Sequence, residues 1–251
     1  MNRKPIDERG YIGTVNTNSI DTFIAMFNKL EKWAKKEAGL HEDDSLKKAF
    51  SILRDKKKNA VVKRYYDELE LLRKIRNLLV HEKTDPENHV IYPSEEIVAS
   101  LHEIYQKLAA PKKVGNVFNR TVVTFTTEDS LASVLKVIEK QSYTNFPIYL
   151  PDGKFVGVLT DNGVARWLAE NVEDGDLLVS TVETKVKDVI DREEIKNNYI
   201  FINKNTSVYD AKDMFQSHKV RLAAILITEN GKEHEKLLGI ITAYDILEIH
   251  D

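Results

Sequence analysis

The chain has 251 residues, 42% of them apolar and 31% charged, with a formal net charge of -3 and no cysteine. That length and apolar content allow one large or two ordinary domains with real cores. No stretch approaches the roughly 18 consecutive apolar residues of a membrane span, so no membrane partner is expected. Without cysteine there are no disulfides, thiolate metal sites or thiol nucleophiles, and the cytoplasm is the expected compartment.

Charge is uneven along the chain. Residues 1–110 carry 20 Lys and Arg against 18 Asp and Glu, and residues 111–251 carry 17 against 22. The basic excess concentrates between Leu46 and Arg76, where eleven cations face four acids. Lys56, Lys57, Lys58, Lys63, Arg64 and Arg73 are its candidate RNA contacts. Such a patch is the electrostatic footprint of a nucleic-acid partner, and the same composition also makes a solvated helix surface.

In chain order, residues 1–17 have no apolar run and are expected to be irregular. Asn18-Ser19 offers an N-cap before Ile20, Phe23, Ile24, Phe27, Leu30 and Ala34, a helical stripe that ends near Gly39. Asp44-Ser45 caps a short second helix with Leu46, Phe50 and Leu53 inward. A third helix is predicted over residues 60–82. Pro86 and Asn88 predict a loop over 83–92. Pro93-Ser94 then opens a fourth helix with Ile97, Leu101, Ile104, Tyr105 and Leu108 on one face. Pro111 closes what reads as an all-α bundle over residues 18–110.

The third helix carries the chemistry of this half. At 100° per residue, Asn77 and His81 lie one turn apart and Arg76 sits on the neighbouring ridge, opposite a stripe of Leu72, Ile75 and Leu79. Arg keeps its charge and matches phosphate geometry, and His titrates near neutrality, so this trio suits a phosphodiester. The plainer reading is a solvated helix end, with His81 favoured by the helix dipole. The Arg76-Asn77-x-x-x-His81 spacing at the end of the third of four helices resembles a HEPN domain. That resemblance implies a metal-independent ribonuclease site, completed by the same motif from a second subunit.

After Pro111, short β-rich runs alternate with helices. Residues 122–125, a helix with Leu131, Val134 and Ile138, residues 146–150, a Pro151-Asp152-Gly153 turn, residues 155–159 and a helix from Asp161 read as β-α-β-β-α. The order recurs with residues 200–202, a helix with Val208, Ala211 and Phe215, residues 222–227, an Asn230-Gly231 turn, residues 237–241 and a helix from Ala243. Leu131 matches Val208, Asp152-Gly153 matches Asn230-Gly231, and Gly157-Val158-Leu159-Thr160 matches Gly239-Ile240-Ile241-Thr242. The offsets of 77, 78 and 82 place an insertion in the second turn, within residues 231–236. The expected fold class is therefore α+β in two domains, with repeats of about 111–180 and 181–251.

A strand ending in Gly-Ile-Ile-Thr and running into Ala-Tyr-Asp resembles a CBS domain, and two in tandem resemble a CBS pair. Such pairs generally bind adenosine-containing ligands in clefts between the repeats. Thr242 can meet a phosphate and Asp245 can accept two ribose hydroxyls, although Thr242-x-x-Asp245 is also a capping box that satisfies a helix start unaided. Arg221 falls where the family often places a phosphate-contacting cation, or is an exposed Arg at a strand end. Thr144, Asn145 and Phe146 are expected to line the adenine side, with Phe146 equally able to be core. Repeat one has Gly163 where repeat two has Asp245, so one nucleotide per chain is expected.

These readings combine into a cytoplasmic homodimer whose CBS pair senses an adenine nucleotide (AMP, ADP, ATP or a cyclic adenylate) and controls a ribonuclease with Arg76, Asn77 and His81 as its catalytic residues. No metal is required, because His41, His89, His102, His218, His234 and His250 are scattered without ligand spacing. One alternative is a non-catalytic sensing adaptor whose bundle binds RNA or a protein. Another is a HEPN toxin neutralised by a separate nucleotidyltransferase.

Overall fold

The computed structural model describes residues 17–81, 83–85, 88–89, 91–174, 176–177, 179–193, 196–217 and 221–248. The expectation for residues 1–16 lies outside these. The chain divides into two compact units, Met1–Pro111 and Lys112–Asp251.

In the first unit, α1 (Thr17–Ala38) buries Ile20, Phe23, Phe27, Leu30, Ala34 and Ala38 at steps of three or four, which is the helical period made visible as burial. The helix begins before Asn18-Ser19, so that pair lies in its first turn rather than capping it. Gly39, at φ +71°, closes it: Gly39 N–H donates to Lys36 O and Leu40 N–H to Lys35 O, the glycine-dependent end that takes up orphan carbonyls. Ser45 Oγ accepts the Lys48 amide at 3.4 Å to start α2 (Leu46–Ser51). The chain then widens into one π-helical turn, Ile52–Lys56, with Leu53 still buried.

The single helix expected over 60–82 is two. Asn59 Oδ1 accepts the Val62 amide at 2.9 Å and starts α3 (Ala60–Arg64); Tyr65, at φ -100° and ψ 19°, leaves helical geometry; α4 (Tyr66–His81) follows. Both tyrosines at the break are held from outside their helix. Lys107 Nζ donates to Tyr65 Oη at 2.7 Å, and the Arg54 guanidinium lies 3.9 Å above the Tyr66 ring. Hydrophobic period alone carries no signal for such an anchor. The loop expected over 83–92 contains a short antiparallel pair, β1 (Lys83–Asp85) with β2 (Asn88–His89). Ser94 Oγ caps α5 (Glu95–Ala109), which buries Leu101, Ile104 and Leu108. α1 packs on α2, α4 and α5.

The second unit holds two repeats of one topology. Repeat one has β3 (Phe125–Thr126), α7 (Leu131–Gln141), β4 (Asn145–Tyr149), β5 (Phe155–Thr160) and α8 (Asp161–Glu170). β3 runs parallel to β4, and β4 antiparallel to β5. Residues 122–124, expected as strand, precede it, and Val122 packs between the sheets instead. Repeat two has β8 (Tyr199–Asn203), α10 (Val208–Ser217), β9 (Ala224–Thr228), β10 (Gly239–Ile241) and α11 (Ala243–Leu247), with the same parallel and antiparallel pairings. Between them lie a hairpin, β6 (Val172–Glu173) with β7 (Asp176–Leu177), and a helix, α9 (Val186–Ile190); a further short helix, α6 (Val114–Val117), precedes β3.

α6 and α9 are exchanged. α6, first in sequence, seats Val114 in the repeat-two core, and its amides donate across: Val114 N–H to Thr206 O and Gly115 N–H to Lys204 O. α9 seats Val186 and Val189 in the repeat-one core, with Leu131 N–H donating to Thr184 O and Val186 N–H to Asp129 O. Sequence order thus assigns each short helix to the wrong repeat. The crossing at Phe118 requires glycine, since a Cβ on Gly239 would stand 2.0 Å from Phe118 O. The two sheets meet through Phe155 and Val158 against Ala224, Leu226 and Ile240. The Phe155 ring lies edge-on to Tyr199 at 4.9 Å and Phe201 at 5.0 Å.

Candidate functional site

The strand pairing fixes where the ends of the two repeats meet. In repeat one, Asn145 opens β4 directly opposite Thr160, which ends β5 and starts α8. In repeat two, Arg221 to Ala223 lead into β9, and Thr242 follows β10 and caps α11. These four segments, with Glu193 and Asn198 from the stretch between α9 and β8, line one cleft of about 450 Å³. Thr144, Asn145, Arg221 and Thr242 are on its wall.

Phe146 is not. Successive residues of a strand face opposite ways, so Asn145 at the cleft sends Phe146 inward, where it is fully buried against Phe125 with ring centroids 5.6 Å apart. Asp245 also departs from the expectation. Its Oδ2 accepts the Thr242 amide at 2.7 Å and the Thr242 hydroxyl at 2.8 Å, and Arg120 donates to both carboxylate oxygens at 2.8 and 2.9 Å. The third position of a helix turns a carboxylate back over its own start, and here the capping box uses it.

The repeat-one end is built differently. With glycine at 163, the acid comes from Glu193: Thr160 N–H donates to Oε1 at 2.5 Å and the Thr160 hydroxyl at 2.9 Å. Burial pushes the Glu193 carboxyl above its usual range and Asp161 adds to that, against the Thr160 bonds and Arg166. The first amides of α8 are taken as well. Asp161 N–H donates to Thr144 O at 2.9 Å, Asn162 N–H to Asp161 Oδ1 at 2.8 Å, and Gly163 N–H to Thr160 Oγ1 at 2.9 Å. Sequence reasoning missed Glu193 because it is 33 residues from its partner. The signal available was an absence, a Thr160-x-x-Gly163 box without its acid.

In the helical unit, Leu72 and Leu79 are buried, and Ile75, Arg76 and Asn77 half-buried. Arg76 Nε is buried with no hydrogen-bond partner among the described residues. His81 ends α4; its side chain lies outside the described residues. Lys56, Lys57, Lys58, Lys63 and Arg64 are exposed, and the Arg64 guanidinium lies 5.7 Å from the Tyr65 ring centroid. Arg73 departs from the expected RNA surface: it is half-buried and forks onto Glu70, one turn back, at 2.9 Å. Among the described residues no helix is long and apolar enough to cross a membrane.

Comparison with known proteins bears on the second unit. Residues 114–170 and 186–250 match the model of the CBS domain, and this half of the chain is a CBS domain pair. A stretch of 149 residues is 26% identical to inosine-5'-monophosphate dehydrogenase of Methanocaldococcus jannaschii, covering 59% of this chain and 26% of that enzyme. An uncharacterized protein of the same archaeon is 28% identical over 137 residues, 55% of this chain and 39% of its own. The chain thus spans between 26% and 39% of the length of these relatives. Among solved structures, the CBS domain of a CBS-domain-containing membrane protein from Sphaerobacter thermophilus has TM-score 0.45 at 18% identity, covering 60% of this chain and 94% of that one. The CBS domain pair of protein MJ0100, solved with 5'-methylthioadenosine and S-adenosyl-L-methionine, has TM-score 0.41 at 18% identity, covering 55% and 94%.

Proposed function

We propose that the CBS pair is an adenine-nucleotide sensor binding one adenylate per chain in the cleft between its repeats, with the helical unit as its output. CBS domains typically bind adenine nucleotides in regulatory roles. The observation that carries the reading is the convergence on one cleft of the strand-end threonines of both repeats, Thr160 and Thr242, with Arg221 on the wall. The guanidinium is a permanent partner for a phosphate, and Asn145 and Thr144 supply amide and hydroxyl groups for the base and sugar. Regulation requires that the ligand bind two states of the protein unequally. Titration calorimetry with AMP, ADP, ATP and cyclic adenylates tests this directly. Saturation at one ligand per chain, lost in Arg221→Ala, is expected; the absence of binding by all of them at millimolar concentration would end the reading.

A second reading concerns the output. The ribonuclease proposal for the helical unit rests on Arg76, Asn77 and His81 near the end of α4, Arg76 being half-buried with its Nε lacking an acceptor among the described residues. In that chemistry the ribose 2'-oxygen attacks phosphorus and the 5'-oxygen leaves, giving a 2',3'-cyclic phosphate and a 5'-hydroxyl. His81 takes the 2'-hydroxyl proton or protonates the leaving oxygen, Arg76 stabilises the phosphorane and Asn77 orients the phosphate. A homodimer supplies the second histidine, and the exposed lysines 56–58 form the RNA surface. End-labelled RNA incubated with the protein and with His81→Ala decides between a nuclease and an adaptor. Cyclic-phosphate products absent from the variant support catalysis; equal inertness of both proteins with every adenylate leaves the adaptor.

A further inference from the structure

Both repeats must satisfy the amide and hydroxyl of the threonine that ends the second strand of the antiparallel pair, and both do so with a carboxylate. In repeat two the acid is Asp245 from the same helix; in repeat one it is Glu193, from a segment 33 residues away. What admits it is the missing side chain at 163, where a Cβ would come 2.1 Å from Glu193 Oε1 and its three nearest neighbours would all belong to that side chain.

The two carboxylates differ in what faces them. Asp245 is bonded by Arg120 at 2.8 and 2.9 Å and does not line the cleft. Glu193 lines it, next to Asp161, and burial holds its carboxyl above the usual range although Arg166 opposes that. The α8 amides that would greet a phosphate are already bonded to oxygens of the chain, so repeat one offers the cleft acceptors and negative charge. Among the described residues lining the cleft, Arg221 brings the fixed positive charge, from the repeat-two side.

From this polarity we infer that Glu193 is a specificity-determining residue: it accepts the ribose hydroxyls of an adenylate whose single phosphate lies beside Arg221, and its charge rejects ligands with further phosphates. The cleft thus selects adenosine compounds with at most one phosphate group over ADP and ATP. This rests on the reading of the cleft as an adenylate site.

The test is calorimetry on the full chain with AMP and with ATP, both in EDTA so that no divalent cation masks the phosphates. Wild type binds AMP at least about tenfold more tightly than ATP, which is the scale of one unit charge within ~10 Å at an effective dielectric near 20. Glu193→Gln lowers the AMP-to-ATP affinity ratio about tenfold, mainly by gaining ATP affinity. Glu193→Asp keeps the carboxylate on the same segment and retains the preference for AMP. It also keeps the test alive should Glu193→Gln fail to fold, because a preference lost with the charge still in place contradicts the inference. A wild-type preference for ATP, or a ratio unmoved by Glu193→Gln, overturns the inference and leaves the adenylate site standing. Binding of neither nucleotide by wild type removes both.

Discussion

Repeat one and repeat two share their strand order, their pairings and the problem of ending a strand in a threonine that starts a helix, yet they solve it with different parts of the chain. Repeat two draws its acid from three residues on, at Asp245, and neutralises it with Arg120. Repeat one leaves glycine there and brings Glu193 from another segment to the same amide and hydroxyl. A short motif therefore reports a local backbone requirement before it reports a ligand. The capping box in repeat two looks like the ribose site, while the acid that faces the cleft is in the repeat whose motif is broken.

The sharpest way to break the likeness between the repeats is at their matched glycines. Gly239 has backbone against it, and its Cβ would stand 2.0 Å from Phe118 O, whereas Gly157 at the matching position meets side chains at ordinary contact distance, Ile190 Cδ1 at 3.5 Å and Tyr199 Cε1 at 4.0 Å. Gly239→Ala is expected to destabilise the second unit by about 3 kcal/mol or more, and Gly157→Ala by less than about 1 kcal/mol. Urea unfolding of the two variants side by side measures the difference, and equal midpoints would refute the crossing described at Phe118.

An effect of intermediate size separates the two acids. Asp245→Ala removes the cap and the Arg120 partner together and is expected to cost about 1–2 kcal/mol. Arg120→Ala is expected to cost less, about 0.5–1 kcal/mol, because the guanidinium side chain is 46% exposed and its ion pair is screened. A double-mutant cycle by thermal unfolding gives the coupling, and independence of the two losses would contradict the ion pair.

The smallest effect distinguishes the second turns. Repeat one turns on Asp152-Gly153, and repeat two carries extra residues there, where Glu235 accepts the Asn230 amide at 2.7 Å and its side-chain Nδ2 at 2.8 Å. Those bonds pull the exposed Glu235 carboxyl down from an ordinary 4.5 to about 2. Because the folded value is the lower one, its stabilisation is present above pH 4.5 and is lost as pH falls toward 2. The melting temperature of wild type should therefore decline more steeply across that window than that of Glu235→Gln. Parallel profiles would show the turn to be held by other means.

Much of the scaffold was legible before any coordinates. Burial of Ile20, Phe23, Phe27 and Leu30, the caps at Ser45 and Ser94, and the doubled β-α-β-β-α order all follow from local period and capping chemistry. Thr144, Asn145, Arg221 and Thr242, which the resemblance to a CBS pair pointed to, lie together on the wall of one cleft. What escaped has one character. The break at Tyr65 depends on Lys107 of another helix, the exchange of α6 and α9 on packing between repeats, and the engagement of Asp245 on Arg120, 125 residues distant.

By itself, then, the sequence determined two units, the repeat and the positions of its strand-end threonines, since periodicity, capping and register act over a few residues. Only the tertiary structure decided which acid serves which threonine, which of the two faces the cleft, and where its positive charge lies. Hydrogen bonds and charge screening depend on distance in space, and folding sets that distance independently of separation along the chain.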